Sequence, residues 1–333
     1  MTLAPHCTAV ILNWNGWRDT LACVDSLLQA QPAPGRIIVC DNGSADDSLV
    51  QLDQALRAVA GRRFLRTDRA GTQAVPVADA DLWLVANGAN LGYAGGINVG
   101  LRLALRDAGC SHAWILNNDT ELAPDALAQA LARMASQPDI GLCGSTLVYA
   151  HDRRTVQAWG GSAYARWSGR TRHLGAHGQL AEVPDDPAAT EAAMACVVGA
   201  AMLARREWLD TVGLLSEDYF LYFEEMDWAA RAAGLGGAGP RWRLGWAPRS
   251  VVFHKEGASI GTAAAGGSPL SLYYLFRNRQ RFAWRFHRAF VPAVFTATLW
   301  DVFKLAARAR WPQAAAALRG SLQLARQPAA GRA

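Results

Sequence analysis

The sequence predicts an α/β fold, with a mostly parallel central sheet flanked by helices and a helical C-terminal extension. Three observations lead to it. Short β-branched runs alternate with segments of helical apolar spacing up to about residue 140, as strand–crossover–strand units require. The strands read as unbroken apolar runs, which suits a sheet covered on both faces. Four of them end in Asn or Asp, and in such a sheet the carboxyl ends form one rim.

"CTAVILNW" is the first buried strand, and "DTLACVDSLLQA" is a helix that Asp19 or Thr20 would cap. "RIIVCDNGS" is a strand running into a Gly turn, and "ADDSLVQLDQALRAV" is the next helix. "FLRT" is a short strand, "ADLWLVANGANLG" a longer one, and "YAGGINVGLRLALRDAG" a helix stopped at Gly109. "HAWILNND" is the fourth clear strand. "PDALAQALARMASQ" is a helix with Pro124 in its first turn.

Beyond residue 140 the crossover rhythm is lost. "IGLCGSTLVYA" and "TVQAWGGSAYARW" read as strands, "GAHGQLAEVPDDPAATEA" as a loop, and "ACVVGAAMLARREWLDTVG" as a strand with a short helix. "EDYFLYFEEMDWAARAAGLG" reads as one helix and "RWRLGWAPRSVVFHKEG" as a last extended segment. "GASIGTAAAGGSP" is loop by composition. From Leu270 the chain reads as helical, with Pro292 bending "AFVPAVFTATLW". This divides the chain into an α/β unit, 1–265, and a helical basic region, 266–333.

The 333 residues, 51% hydrophobic, allow a sizeable core and exclude wholesale disorder. The net charge of +5 is unevenly placed: Arg277 onward carries eleven Lys/Arg against one acid, Asp301. That basic rear interleaves Arg with aromatic residues, which suits an anionic bilayer surface. The acidic front and the absence of a nucleic-acid module argue against nucleic acid as partner. Six cysteines without a CxxC pair imply no disulfide framework or zinc site and fit a reducing cytosol. No signal-type start is present, and no run of 18 uninterrupted apolar residues predicts a spanning helix. There is no G-x-G-x-x-G after the first strand and no P-loop motif, which argues against a dinucleotide oxidoreductase and a P-loop ATPase.

The strand ends carry Asn13, Trp14, Asn15 and Gly16; Asp41, Asn42, Gly43 and Ser44; Asn87 and Asn90; and Asn117, Asn118 and Asp119. Asn and Asp suit turns, but four such ends on one rim point to a ligand. "VILNWNG", "IIVCDNGSADDS", "ANLGYAGGINVG", "ILNNDTEL", "GLLSEDYFLYFEEMDWAAR" and "VVFHKEGAS" occur in that order between residues 8 and 260, and "LFRNR" follows. With these runs the chain resembles the family 2 glycosyltransferases of the GT-A fold, particularly the bacterial rhamnosyltransferase-like branch.

The resemblance implies an inverting glycosyltransferase, with residues 1–265 as its catalytic unit, a nucleotide-binding half to about 120 and an acceptor-side half from 121. "GASIGTAAAGGSP" would then be an acceptor-side lid that closes over the donor. Its donor would be a nucleotide-diphosphate sugar, best read as dTDP-rhamnose, with a UDP-hexose as the alternative. Its acceptor would be a hydroxyl of a glycan or of a polyprenyl-diphosphate-linked saccharide. Asn13, Asn15, Asp41 and Asn42 would lie near base and ribose; Trp14 would either stack on the base or pack inward. Asn90, Gly95 and Gly96 would lie near ribose and diphosphate, where a helix start offers N–H groups. "NND" stands at the family's D-x-D-like motif, making Asp119 a ligand for Mg²⁺ or Mn²⁺, with Asn118 beside it and Asn117 in place of a first acid. His254 would be a second ligand and Lys255 a phosphate contact.

In "YFEEMDW" the implied general base is Glu225, where the family carries aspartate, with Glu224 next. Asp227 would orient the site or meet the acceptor. Helical phase puts 224 and 227 on one side and 225 elsewhere; acids at a helix start are also favoured by the dipole alone. The expected location is cytoplasmic, peripheral on the inner face of the membrane, and a homo-oligomer is compatible with the reading. The rivals are a noncatalytic sugar-nucleotide-binding scaffold and a sugar-phosphate nucleotidyltransferase. The latter would need a Gly-rich, Arg/Lys-containing loop where "NWNGWRDT" stands.

Overall fold

The computed structural model describes residues 6–234, 242–255 and 267–323. Of the lid expected at 257–269, residues 257–266 lie outside the described residues. The elements are β1 (His6–Asn13), α1 (Trp17–Gln29), β2 (Arg36–Asp41), α2 (Ser48–Arg57), β3 (Phe64–Asp68), β4 (Leu82–Ala86), α3 (Gly92–Leu105), β5 (Cys110–Asn117), β6 (Thr120–Leu122) and α4 (Ala126–Ser136). There follow β7 (Ile140–Tyr149), β8 (Val156–Trp159), β9 (Gly161–Ala165), β10 (Arg170–His173), α5 (Ala188–Ala193), β11 (Cys196–Val197), β12 (Ala201–Arg205), α6 (Arg206–Val212), α7 (Glu224–Gly234) and β13 (Arg243–His254). Helices α8 (Pro269–Phe286), α9 (Val291–Ala307) and α10 (Trp311–Ser321) complete the chain.

The main sheet runs β3-β4-β2-β1-β5-β12-β7-β13-β6. Its first five strands are parallel, while β12 is antiparallel to both neighbours and β6 is antiparallel to β13. Alternate residues of β1 serve opposite faces. Ala9 and Ile11 pack with Cys23, Val24 and Leu27 of α1, and Val10 packs with Ala94, Ile97 and Leu101 of α3. Parallel register sets Asn13 beside Asp41, Asp41 beside Ala86, and Leu12 beside Asn117. The polar strand ends therefore share one rim, as expected.

Several local expectations are corrected. The first helix is not capped by Asp19 or Thr20. Its N-cap is Gly16, and Thr20 inside the first turn donates to Asn13 Oδ1 (2.7 Å) and the Gly16 carbonyl (3.1 Å). Pro124 precedes α4, whose N-cap is Asp125. A short helix, α5, forms inside the expected loop; its Glu191 accepts from Arg133 (2.7 Å) and from the Trp246 backbone (2.8 Å). Pro292 sits in the first turn of α9 and starts that helix instead of bending it, because the amide it lacks would be unpaired there anyway. The stretch Arg288–Ala307 has a mean hydropathy of 1.4 and the length to cross a membrane, with 11% of it buried. An uninterrupted apolar run is thus too strict a test, since an average tolerates Asp301 and Lys304. The six cysteines are all buried and free.

The helix expected from Glu217 begins only at Glu224, because Phe220, Tyr222 and Phe223 have φ of 66°, 67° and 74°. This left-handed turn packs on the start of α3. The Phe220 carbonyl accepts from the Tyr93 amide (2.6 Å), and a Cβ on Gly92 (φ 74°) would collide with that carbonyl oxygen. Gly92→Ala should cost about 1–3 kcal/mol, from the left-handed φ and the crowding together, measured by urea unfolding against wild type.

Candidate active site

A cavity of about 280 Å³ opens beside the rim. Seven residues picked from the sequence line it: Trp14, Asn117, Asn118, Asp119, Glu224, Glu225 and His254. The loop ending β5 delivers Asn118 and Asp119, the last residue of β13 delivers His254, and the first turn of α7 delivers the two glutamates. Antiparallel pairing of β13 with β6 sets His254 opposite Thr120, one residue past Asp119. His254 Nε2 lies 3.2 Å from Asp119 Oδ1.

Gln157 Oε1 lies 2.8 Å from His254 Nδ1. An amide oxygen only accepts, so Nδ1 donates to Gln157 and Nε2 is the nitrogen turned toward Asp119. A histidine oriented through one nitrogen, with the other facing a carboxylate, is a donor set suited to a divalent cation. Among the described residues no group of three or more His, Cys, Asp or Glu could hold a metal. The pair would need further oxygen ligands from a substrate, as Mg²⁺-type sites commonly do.

Glu224 is buried, and its Oε2 has no hydrogen-bond partner among the described residues. Burial, and then the neighbouring Glu225, hold its carboxyl well above the ordinary range. Glu225 borders the cavity, and desolvation pushes its carboxyl up to about 7. Their charges reach Tyr93 on α3 and Tyr222 in the turn; burial first, then these carboxylates, raise both phenols.

Asp227 does not line the cavity. It is fully buried and accepts from Tyr219 Oη (3.0 Å) and Arg231 Nε (2.7 Å), and it pairs with Arg285 (2.7 Å). Residues 224 and 227 are close in helical phase, but the cavity faces a direction between 224 and 225, which leaves 227 about 200° from 225.

The other selected residues form the frame of the rim and do not line the cavity. Asn13 donates to Asp41 (2.7 Å) and Ser44 (3.1 Å), and Ser44 donates to Asp41 through Oγ (2.5 Å) and its amide (3.1 Å). Asn15 Oδ1 accepts from the Ala45 amide at 2.8 Å. Asn42 donates to Asn90 (3.0 Å) and accepts from the Leu91 amide (3.1 Å). Gly95 and Gly96 lie within α3; a Cβ on Gly96 would strike Leu12 and Asn42, so this glycine lets the helix lie close on the sheet. Lys255 pairs with Asp19 at 2.7 Å.

Sequence reading missed Gln157, His173, Tyr93, Leu221, Tyr222 and the Val198–Ala200 stretch, all of which line the cavity. Gln157 and His173 sit on short strands with no motif to flag them. Tyr93 stood inside the quoted "LGYAGG" and could have been found there; its hydroxyl donates to the Gly199 carbonyl at 2.7 Å.

The family model for glycosyl transferase family 2 matches residues 8–212, and that for glycosyl transferase family group 2 matches residues 114–322. Two Mycobacterium tuberculosis proteins, from strains CDC 1551 / Oshkosh and ATCC 25618 / H37Rv, are each 26% identical to this chain over 280 residues, 78% of it and 80% of their own length. Both are N-acetylglucosaminyl-diphospho-decaprenol L-rhamnosyltransferases. Among solved structures, a mannosyltransferase of Pyrobaculum calidifontis in complex with GDP-Man and Mn²⁺ superposes with a TM-score of 0.53 at 18% identity, covering 99% of this chain and 78% of that one. GalNAc-T7 with UDP, GalNAc and Mn²⁺ gives 0.55 at 16%, covering 83% and 48%. These likenesses establish a GT-A-like fold, and the chain belongs to glycosyl transferase family 2: it is a glycosyltransferase.

Proposed function

We propose that the protein is an inverting rhamnosyltransferase that uses dTDP-rhamnose and a saccharide carried on a polyprenyl diphosphate. The observation that carries the chemistry is one cavity in which an Asp119–His254 pair and a Glu224–Glu225 pair are both exposed to the same space. Similarity to the two mycobacterial rhamnosyltransferases supports the sugar and the lipid-linked acceptor.

In this reading residues 1–120 hold the nucleotide and 121–265 meet the acceptor. Trp14, Asn15 and Asn118 border the nucleoside. Asp41, saturated by Asn13 and Ser44, acts by holding the loop beside it, and Asn42 and Asn90 brace the start of α3. Asp119 and His254 would hold Mg²⁺ or Mn²⁺, which when bound would offset the charge of the leaving diphosphate. Lys255 would join the phosphates by leaving Asp19.

Glu225 takes the proton from an acceptor hydroxyl. The oxygen bonds to the anomeric carbon on the face opposite the diphosphate, the carbon–oxygen bond to the diphosphate breaks, and the nucleoside diphosphate departs. A carboxyl near 7 is matched to such proton transfer. Glu224, shielded and protonated more readily, keeps a second full charge from opposing the first.

The C-terminal helices suit the inner face of the cytoplasmic membrane. Leu299, Trp300 and Phe303 stand exposed along α9, and Trp284 and Trp311 are exposed beside it. Trp167 is 69% exposed and meets Phe290 edge-on. Arg288 and Arg308 flank α9 in the chain and are exposed. Asp301 on the same helix is bound by Arg170, Arg279 and Lys304, so α9 stays packed on the protein and would lie in the interface plane.

Glu225→Gln should lower kcat by ~10²–10⁴-fold while leaving calorimetric donor affinity near wild type; near-normal transfer would remove Glu225 as base. Asp119→Asn should weaken donor binding in Mn²⁺ and change it little in EDTA. Between about pH 4.5 and 7 the folded protein binds more protons at the glutamate pair than the unfolded chain, so this pair makes stability fall as pH rises through that window. Glu224→Gln should flatten that slope and raise Tm at pH 8 by ~2–4 °C, read by scanning calorimetry. A Trp300→Ser, Phe303→Ser double variant should bind phosphatidylglycerol vesicles at least ~10-fold more weakly in a flotation assay, with donor binding unchanged.

A further inference from the structure

We propose that Asn278 of α8 is a positioning residue for catalysis, locking the left-handed turn before α7 so that Glu225 is held at the cavity wall. The proposal rests on Glu225 being the base.

The turn is an unusual way to start a helix. Three non-glycine residues, Phe220, Tyr222 and Phe223, occupy left-handed backbone, which side chains with a Cβ disfavour and which persists only where the surroundings over-determine it. The over-determination comes largely from α8. Asn278 is fully buried, and its side-chain NH₂ reaches the carbonyls of Tyr219 (2.7 Å), Leu221 (2.7 Å) and Tyr222 (3.0 Å). A short amide with two N–H donors suits converging carbonyls; aspartate has none to give, and alanine would leave the carbonyls unpaired.

The rest of α8 follows the same turn residue by residue. Arg277 and Arg281 donate to the Asp218 carbonyl (3.2 and 3.1 Å). Tyr274 stacks on Phe220 at 4.6 Å, and Ser271 bonds the Tyr222 hydroxyl at 2.8 Å. Arg285 pairs with Asp227 one turn into α7. Leu221 and Tyr222 themselves line the cavity, so one locked turn sets both a wall and the adjoining carboxylate. The charge of Glu225 reaches Glu224, Tyr93, Tyr222 and Cys196, and Asp119, His173 and His254 line the same cavity.

The test compares Asn278→Ala with a control on the same helix. Gln280→Ala removes a bond from Gln280 to Thr298 of α9 (3.0 Å), loosening α8 without touching the turn. In Asn278→Ala, kcat should fall on the order of 10²-fold, the scale of a small misplacement of a reacting group, with donor KM within about 3-fold. Amide exchange at 219–223 should accelerate. The acid limb of the kcat–pH profile should move down toward the ordinary carboxyl range as the opened turn hydrates Glu225.

Gln280→Ala should lower Tm without these changes. Wild-type kcat in Asn278→Ala would overturn the proposal. So would unchanged exchange, or a loss shared with donor affinity at an unmoved acid limb. Should Asn278→Ala not fold, Asn278→Ser, whose hydroxyl can still serve one carbonyl, is read in the same three ways. If wild type transferred sugar from no donor, the functional reading would fail, while the exchange result would still decide whether Asn278 locks the turn.

Discussion

Two adjacent carboxylates at the start of one helix face a cavity that disfavours their charge, and much of the molecule supplies what keeps them there. Left to itself a chain would turn Glu224 and Glu225 into water. Here Phe223 ends a left-handed turn and Glu224 begins α7 with its side chain already buried. Each left-handed non-glycine residue costs about 1–3 kcal/mol, and burying like charges adds to that. These costs are tolerated because the turn is pinned from two sides. Gly92 and Tyr93 crowd it from the start of α3, and α8 grips it from the C-terminal region.

The opposite wall is built by a different device. Parallel register brings the ends of β1, β2, β4 and β5 to one level, and the asparagines there bond one another, leaving the loops stiff. The antiparallel strands β12 and β6 then carry the sheet past the rim, so that the end of β13 lays His254 against Asp119. Gln157 selects which imidazole nitrogen faces that carboxylate. A site assembled from the first strand end, a mid-chain loop, a late strand and a late helix can be adjusted at one wall without disturbing the others.

The C-terminal helices join two roles that composition alone would keep apart. Their outer surface is aromatic and basic, and their inner surface holds the left-handed turn beside the cavity. Helix α10 packs small residues, including Ala316, Ala317 and Gly320, against α8; a Cβ on Gly320 would meet the Tyr273 carbonyl. Close packing of this kind makes α8 a firm base for the turn, since interiors at this density transmit displacement instead of absorbing it.

Much of the fold was legible in the sequence because burial on both faces of a parallel sheet leaves continuous apolar runs, and because Asn and Asp gathered at the ends of such runs mark where the sheet meets a polar rim. Asp119, His254, Glu224 and Glu225 could be selected for a related reason: they stand in motifs whose local order is itself informative. Direction and pairing were not legible. That Asp227 turns away to Arg231 and Arg285, that Asp41 is consumed by Asn13 and Ser44, and that Gln157 and His173 reach the cavity depend on contacts between residues far apart in the chain. The left-handed turn at 220–223 is the clearest case. Nothing in "YFLYF" favours positive φ, so local propensity reads helix, and only tertiary contacts, those of Asn278 and Tyr93 to the turn's carbonyls among them, stabilise the alternative. Local order along the chain marked which residues were available to the chemistry. The packing of α8 and α3 selected which of them face it, because side-chain direction there is set by long-range hydrogen bonds that no short window of sequence contains.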